Sequence, residues 1–422
     1  MDEQFLHYVW KFQKFKNLPL KTTDGEEIVV FNPGIHNHDA GPDFNEAKVK
    51  IGSLEWAGQV EIHLKSVDWL RHQHQHDPKY NNVILHVVWH HNSTIKVQGQ
   101  PIPTLEIGRI VEDEVLENYK RLSGDLGEIP CSDYLSEIEE FKVHSTLTRM
   151  VSERLENKGR EIIEPLLLKF VNDWEQIAFI MLARSFGMKI NSDPLEILAR
   201  NLPINILLKH QNSTSQIEAL LFGTAGFLDG LQVDEYHGQL KKEYAFLKHK
   251  YEIPSILKRA NWKFSKLRPA NFPSVRLAQL STIIAHARGI FSWMVTAQHL
   301  EDVRKRLSTE VSDYWKSHYD FGKEGDIQPV GETTINSIII NGLVPVIAKY
   351  GHHHGDEELL DKALSWLDQT APENNKITRK WRQVLPKQKN AFGTQGQIHL
   401  FNEYCLKRRC LQCEIGSAIV GR

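Results

Sequence analysis

Apolar and polar positions alternate with a period of two over 27–31, 47–51, 58–64, 82–89 and 104–107. Clusters of Gly, Pro, Asn and Asp separate these stretches, among them Asn32-Pro33-Gly34 and Gly41-Pro42-Asp43. The pattern predicts short strands between turns. A helical period precedes the first strand over 3–16, and a second short one lies over 67–76. The order is helix, three strands, helix, strand: a small α/β domain over 1–110. From about 140 the period becomes 3.6, over 141–156, 161–186, 194–199, 215–222, 236–251, 275–291, 302–319 and 333–351. The expected architecture is α+β and multidomain. The α/β domain leads into a linker over 111–139 that carries Cys131, then into a large all-α domain over 140–422.

Composition agrees with a chain that buries a large core. Its 422 residues are 41 % hydrophobic and include ten tryptophans. The longest apolar runs fall far short of the roughly 20 residues that span a bilayer. The start, Met-Asp-Glu-Gln, opens no signal-peptide stretch, so a cytoplasmic chain without a membrane partner is expected. The net charge of −2 hides two basic segments. Residues 258–306 hold ten Lys or Arg against two acids, and 376–409 hold nine against one. Such a segment is either a solvated helix face or a phosphate-binding surface. Interleaved Trp262, Phe264 and Trp381 would serve the second reading by stacking on bases.

Candidate chemistry concentrates in the α/β part. Side chains alternate across a strand, so in 59–65 the polar Glu61, His63 and Lys65 share one face, and Val60, Ile62 and Leu64 the other. If 47–51 pairs back on 58–64 around Gly52-Ser53, Asp43 comes beside Glu61. Two carboxylates meeting there are costly unless a cation lies between them. Oxygen ligands with open positions suit Mg²⁺ or Mn²⁺, and such an ion activates water for phosphodiester hydrolysis. The plainer reading stays open: Glu61 and His63 form the solvent face of a sheet, and Pro42-Asp43 is an ordinary turn.

Pro42-Asp43, an acid eighteen residues on, one spacer and a polar group together resemble the PD-(D/E)XK motif of restriction-endonuclease-like nucleases. The resemblance implies Asp43 and Glu61 as metal ligands and His63 in the place of the family's water-activating lysine. Lys65, two positions later on the same face, is an alternative holder of that role. Histidine there can also act as general base or third ligand. The order of elements over about 1–110 matches the family's core. The whole chain also resembles a bacterial domain-of-unknown-function family, through Gly-Pro-Asp-Phe, Val-Glu-Ile-His, Asp68-Trp69, the histidine run and a C-terminal cysteine cluster.

Histidines crowd the same region. His36, His38 and Asp39 precede the motif; Asp68, His72 and His76 follow with helical spacing; His86 lies on the next strand. A cluster of this density marks a polar catalytic cleft or a metal site. A zinc hydrolase of a small substrate, with His72 and His76 as ligands, is therefore a rival to the nuclease, although no His-Glu-x-x-His stands in the chain. A non-catalytic nucleic-acid-binding or assembly protein on a nuclease-like scaffold is a further alternative.

Cys405, Cys410 and Cys413 fall within nine residues, and Cys131 is the one other cysteine of the chain. Together they make a Cys₄ set for zinc or a [4Fe–4S] cluster. The alternative is four core thiols. In the helical part, Lys263, Arg268 and Arg276 flank a rigid, aromatic, Pro-rich loop and are candidate nucleic-acid contacts; a structural loop anchoring Trp262 and Phe272 is the other reading.

Overall fold

The computed structural model describes every residue of the chain except His38 and Leu126. The structure is mixed α/β, with a sheet near the N-terminus and many helices after it. Two compact units form. The first comprises residues 1–147, 380–386 and 399–422, and the second 148–379 and 387–398. The last 24 residues, read above as part of a helical domain, thus lie in the first unit.

The first unit opens with α1 (Glu3–Phe12), whose N-terminus is capped by Asp2 accepting from the Phe5 N–H at 3.0 Å. Phe5, Leu6, Val9 and Trp10 form its buried stripe. The helix ends earlier than the expected 16, because Gln13 takes a left-handed conformation (φ 51°) and returns its N–H to the last turn. The sheet follows: β1 (Leu20–Lys21), β2 (Glu27–Asn32), β3 (Ile35–His36), β4 (Phe44–Ile51), β5 (Leu54–Lys65), β6 (Val83–His90) and, beyond a small hairpin of β7 (Lys96–Val97) and β8 (Gln100–Pro101), β9 (Thr104–Glu106). Its order is β1-β2-β4-β5-β6-β9, with β3 on β4. Strands β2, β4 and β5 pair antiparallel, whereas β6 runs parallel to β5 and β9 parallel to β6. A parallel neighbour needs a crossover. It is made by α2 (Asp68–Arg71) and two 3₁₀ turns, His74–His76 and Pro78–Asn82.

That crossover corrects one expectation. Residues 67–76 are not a single helix: after α2 the chain reverses at Gln73 (φ 61°). His72 and His76 therefore do not share a helix face. Gly58 marks where β5 meets β6. A Cβ there would stand 2.5 Å from Ile84 Cγ2 and 2.7 Å from the Asn82 carbonyl, so the strands close up because nothing larger occupies the position.

The second unit is helical apart from a hairpin, His318–Asp320 with Lys323–Glu324. Three long helical stretches expected from sequence are broken. The 161–186 stretch divides at Val171 and Asn172, both left-handed, and Asp173 caps the next helix, Trp174–Phe186, by accepting from the Gln176 N–H. The 275–291 stretch divides at Arg288 and Gly289, where the Glu175 carboxylate accepts the Ile290 and Phe291 N–H groups. The 302–319 stretch ends at Leu307, resumes over Asp313–Lys316 and passes into the hairpin. No helix among the described residues is long and apolar enough to cross a membrane.

Candidate metal centre

Register brings the two carboxylates together. Phe44 pairs with Val60, so Asp43 lies across from Glu61 at the start of β4. Gly41 makes the preceding turn at φ 128°, a conformation that side-chain-bearing residues rarely adopt. Each carboxylate then holds the other residue's strand. The Asp43 N–H donates to Glu61 Oε2 at 3.1 Å, and the Ile62 N–H donates to Asp43 Oδ2 at 2.9 Å. The solvent-face reading of β5 is thereby corrected: Glu61 is 5 % exposed and His63 1 %.

Histidines complete the cluster. Glu61 Oε1 lies 3.1 Å from His74 Nε2 and 3.5 Å from His63 Nε2, which is itself 3.1 Å from His72 Nδ1. One ligand nitrogen each from His63, His72 and His74 falls within 4.8 Å of the others. Four donors held about 2.05 Å from a tetrahedral ion are separated by about 3.3 Å. Three of the six pairs, Glu61–His74, Glu61–His63 and His63–His72, lie near that edge. Behind His63, its Nδ1 meets His86 Nε2 at 2.9 Å. If His63 Nε2 offers a lone pair to an ion, its Nδ1–H must donate to His86, so the buried His86 sets the tautomer.

Electrostatics favour neutral nitrogen donors. Burial, then the nearby His86, His74 and His72, push the His63 pKa down to about 2. Burial does the same to His86, to about 3, and lowers His74 against the pull of Asp43. Glu61 is pushed up to about 9, by burial first and then by the Asp43 charge. A carboxyl reluctant to ionise beside uncharged imidazoles is a site lacking positive charge, which a divalent cation would supply. His74 stacks on Tyr80 with centroids 3.8 Å apart, and Trp69 packs edge-on to His74 and His86. These rings pack against His74 and His86, while His72 is exposed and His74 half-buried.

The remaining expected residues divide. His7 Nε2, on α1, lies 3.4 Å from Asp43 Oδ2, and His36 stacks on Phe44 at 4.9 Å, edge-on to His7. His76 and Lys65 are exposed. Lys65 ends β5, and Asp68 accepts its backbone N–H. His38 lies outside the described residues. His7 and His74 were not singled out from sequence. His74 carried a signal, the His72-x-His74-x-His76 alternation, but a helical reading of 67–76 points it away from its neighbours. Within the second unit, Lys263 and Arg268 are exposed. Arg276 is instead a buried structural cation, donating to Asn271 Oδ1 at 2.6 Å, Gln279 Oε1 at 2.8 Å and Thr334 Oγ1 at 3.1 Å. Trp262 and Trp381 are buried too, and Phe264 packs against the core, so none of the three offers a free ring for base stacking.

No curated protein and no solved structure matches the chain. Residues 3–376 match the family model described as protein of unknown function (DUF2851), and the chain belongs to that family.

Proposed function

We propose that the first unit is a metal-dependent phosphodiester hydrolase acting on nucleic acid, with its ion held by Glu61, His63, His72 and His74. The observation that carries this reading is the gathering of one nitrogen each from His63, His72 and His74 within 4.8 Å of one another, with Glu61 Oε1 3.1 Å from His74 Nε2 and 3.5 Å from His63 Nε2. Imidazole donors favour zinc over magnesium, and the carboxylate also admits manganese. The ion, when bound, supplies a Lewis acid and lowers the pKa of its water. Asp43 accepts from the Ile62 N–H and faces His7, a pair able to take a proton from an attacking water. The phosphodiester assignment is supported by the resemblance of the motif and by three antiparallel strands followed by a parallel one, with Asp43 before the second and Glu61 in the third.

The test incubates the full chain with single- and double-stranded DNA and RNA plus Mn²⁺, Zn²⁺ or Mg²⁺, beside Glu61→Gln and His74→Ala. Cleavage with Mn²⁺ or Zn²⁺ that falls at least a hundredfold in both variants supports the proposal. Absent cleavage, or cleavage equal in all three proteins, removes it. The histidine-rich donor set also suits a zinc hydrolase of a small substrate, with His74 rather than His76 beside His72. Turnover of a nitrophenyl ester without turnover of bis(nitrophenyl) phosphate would select that reading.

A further inference from the structure

In the second unit a pocket of about 150 Å³ opens beside the helix Pro273–Ala287. Its lining carries one charged residue, Arg276. We propose that this pocket binds a small monocarboxylate with an apolar body about the size of a benzene ring, its charge paired with the Arg276 guanidinium.

Two walls make the pocket. The helix Trp174–Phe186 ends in a tight reversal through Gly187 and Met188 (φ 53°), which the Asn191 N–H closes on the Gly187 carbonyl at 2.9 Å. A Cβ at Gly187 would stand 2.3 Å from the Asn191 carbonyl, so the turn closes only around a residue without a side chain. The next helix, Ser192–Asn201, adds Leu195. The facing wall comes from the 267–273 segment and from Arg276, in the first turn of the helix that follows. Asn191 ties the two walls together. Its Nδ2 donates to the Lys263 carbonyl and its Oδ1 accepts the Lys263 N–H, both at 2.9 Å.

Arg276 is 5 % exposed. Its guanidinium donates to Asn271, Gln279 and Thr334, all uncharged, and among the described residues no carboxylate pairs with it. Burial lowers its pKa to about 10, and no neighbouring acid offsets that. The three bonds hold the guanidinium in place but leave its charge unbalanced. A buried cation without a counter-ion is strongly destabilising. A carboxylate seated in the pocket supplies the missing charge, and a guanidinium has five N–H donors, so the three in use leave others for a charge-assisted pair.

Most of the remaining lining is apolar. Phe186 and Leu195 are fully buried, whereas Met188 and Ile190 are exposed and mark the opening. A dry apolar cavity of about 150 Å³ accepts benzene, which sets the size of the body. A phosphate dianion would bring a second charge that no second cation of the lining meets, and it would leave the apolar walls uncovered.

The test titrates the full chain with sodium benzoate and sodium isovalerate, followed by calorimetry or ligand-observed NMR. Benzamide, a neutral molecule of benzoate's shape, and inorganic phosphate are titrated in parallel. Two variants accompany the unaltered protein. Arg276→Gln removes the charge and keeps hydrogen-bonding groups; Ile190→Trp fills the opening from an exposed position. At least one carboxylate should bind with a Kd of about 1 mM or tighter. Benzoate should bind at least about tenfold more tightly than benzamide or phosphate. Arg276→Gln should weaken the carboxylate at least about tenfold without a comparable effect on benzamide, and Ile190→Trp should weaken both. Should Arg276→Gln fail to fold, the benzoate-to-benzamide ratio of the unaltered protein and the Ile190→Trp response decide. No binding of either carboxylate at about 10 mM, equal affinity for benzoate and benzamide, preference for phosphate, or carboxylate affinity unchanged in either folded variant overturns the proposal.

Discussion

Binding of Mn²⁺ or Zn²⁺ at the histidine cluster should release a proton from Glu61. Its carboxyl is pushed up to about 9 by burial and by Asp43, so at pH 7 its protonated form predominates. A metal ligand must be deprotonated, so the ion displaces that proton at a cost of about 3 kcal/mol at pH 7. The apparent affinity should therefore rise about tenfold per pH unit until about pH 9, on account of this group alone. His63, with a pKa near 2, contributes no such competition. Glu61→Gln keeps an oxygen donor and removes the proton. Calorimetric titration in buffers of different ionisation enthalpy counts the protons released per ion. The wild-type count at pH 7 should exceed that of Glu61→Gln by close to one, and the wild-type Kd should fall about tenfold more than the variant's between pH 6.5 and 7.5. Identical proton counts and parallel pH profiles would refute both the carboxyl's protonation and its role as ligand.

Arg276→Leu should lower stability by about 1–3 kcal/mol in denaturant unfolding, because Asn271, Gln279 and Thr334 lose their shared donor; any nucleic-acid affinity should not change. Gly223→Ala should cost about 1–3 kcal/mol, since its Cβ would stand 2.2–2.4 Å from the Tyr244 ring. A second change, Tyr244→Leu, should recover part of that loss in the same assay. Glu218 accepts from Ser312, Tyr236 and Trp315, yet burial raises its pKa above the ordinary 4.5. The folded state then holds the proton more tightly than the unfolded state, so this group's contribution to stability falls as pH rises from about 4.5 through its folded value. Unfolding free energies between pH 4 and 8 should slope less steeply in Glu218→Gln, and equal slopes would remove the claim.

What was legible in the sequence follows from which interactions are local. The β4–β5 hairpin was legible because alternation sets which residues share a face and Gly52-Ser53 sets the turn, so Asp43 opposite Glu61 needed only the pairing. His74 was not, because its place depends on a chain reversal at Gln73, a non-glycine residue at φ 61° that periodicity cannot signal. Arg276 and Trp262 left two readings open for a related reason. A cation or an indole beside a Pro-rich loop looks the same whether it faces water or, as here, meets Asn271 and the Ala225 carbonyl inside the second unit. The broken helices share that origin: Glu175 caps Ile290 from 115 residues away, a partner no window of sequence contains.

Under the proposed function, a histidine rather than a lysine at position 63 has a chemical consequence. A lysine there would bring a positive charge beside Glu61, lowering its pKa and leaving an oxygen-rich site for a hard cation. His63 brings none. It is held neutral by burial, and Glu61 is correspondingly driven toward its protonated form. Imidazoles from β5, from the end of α2 and from the turn after it then offer nitrogen donors to the proposed ion. In the proposed site, histidine at position 63 would favour zinc over magnesium and leave the handling of the water's proton to residues outside the strand. Under the proposed function that task falls to the Asp43–His7 pair, whose side chains lie 3.4 Å apart.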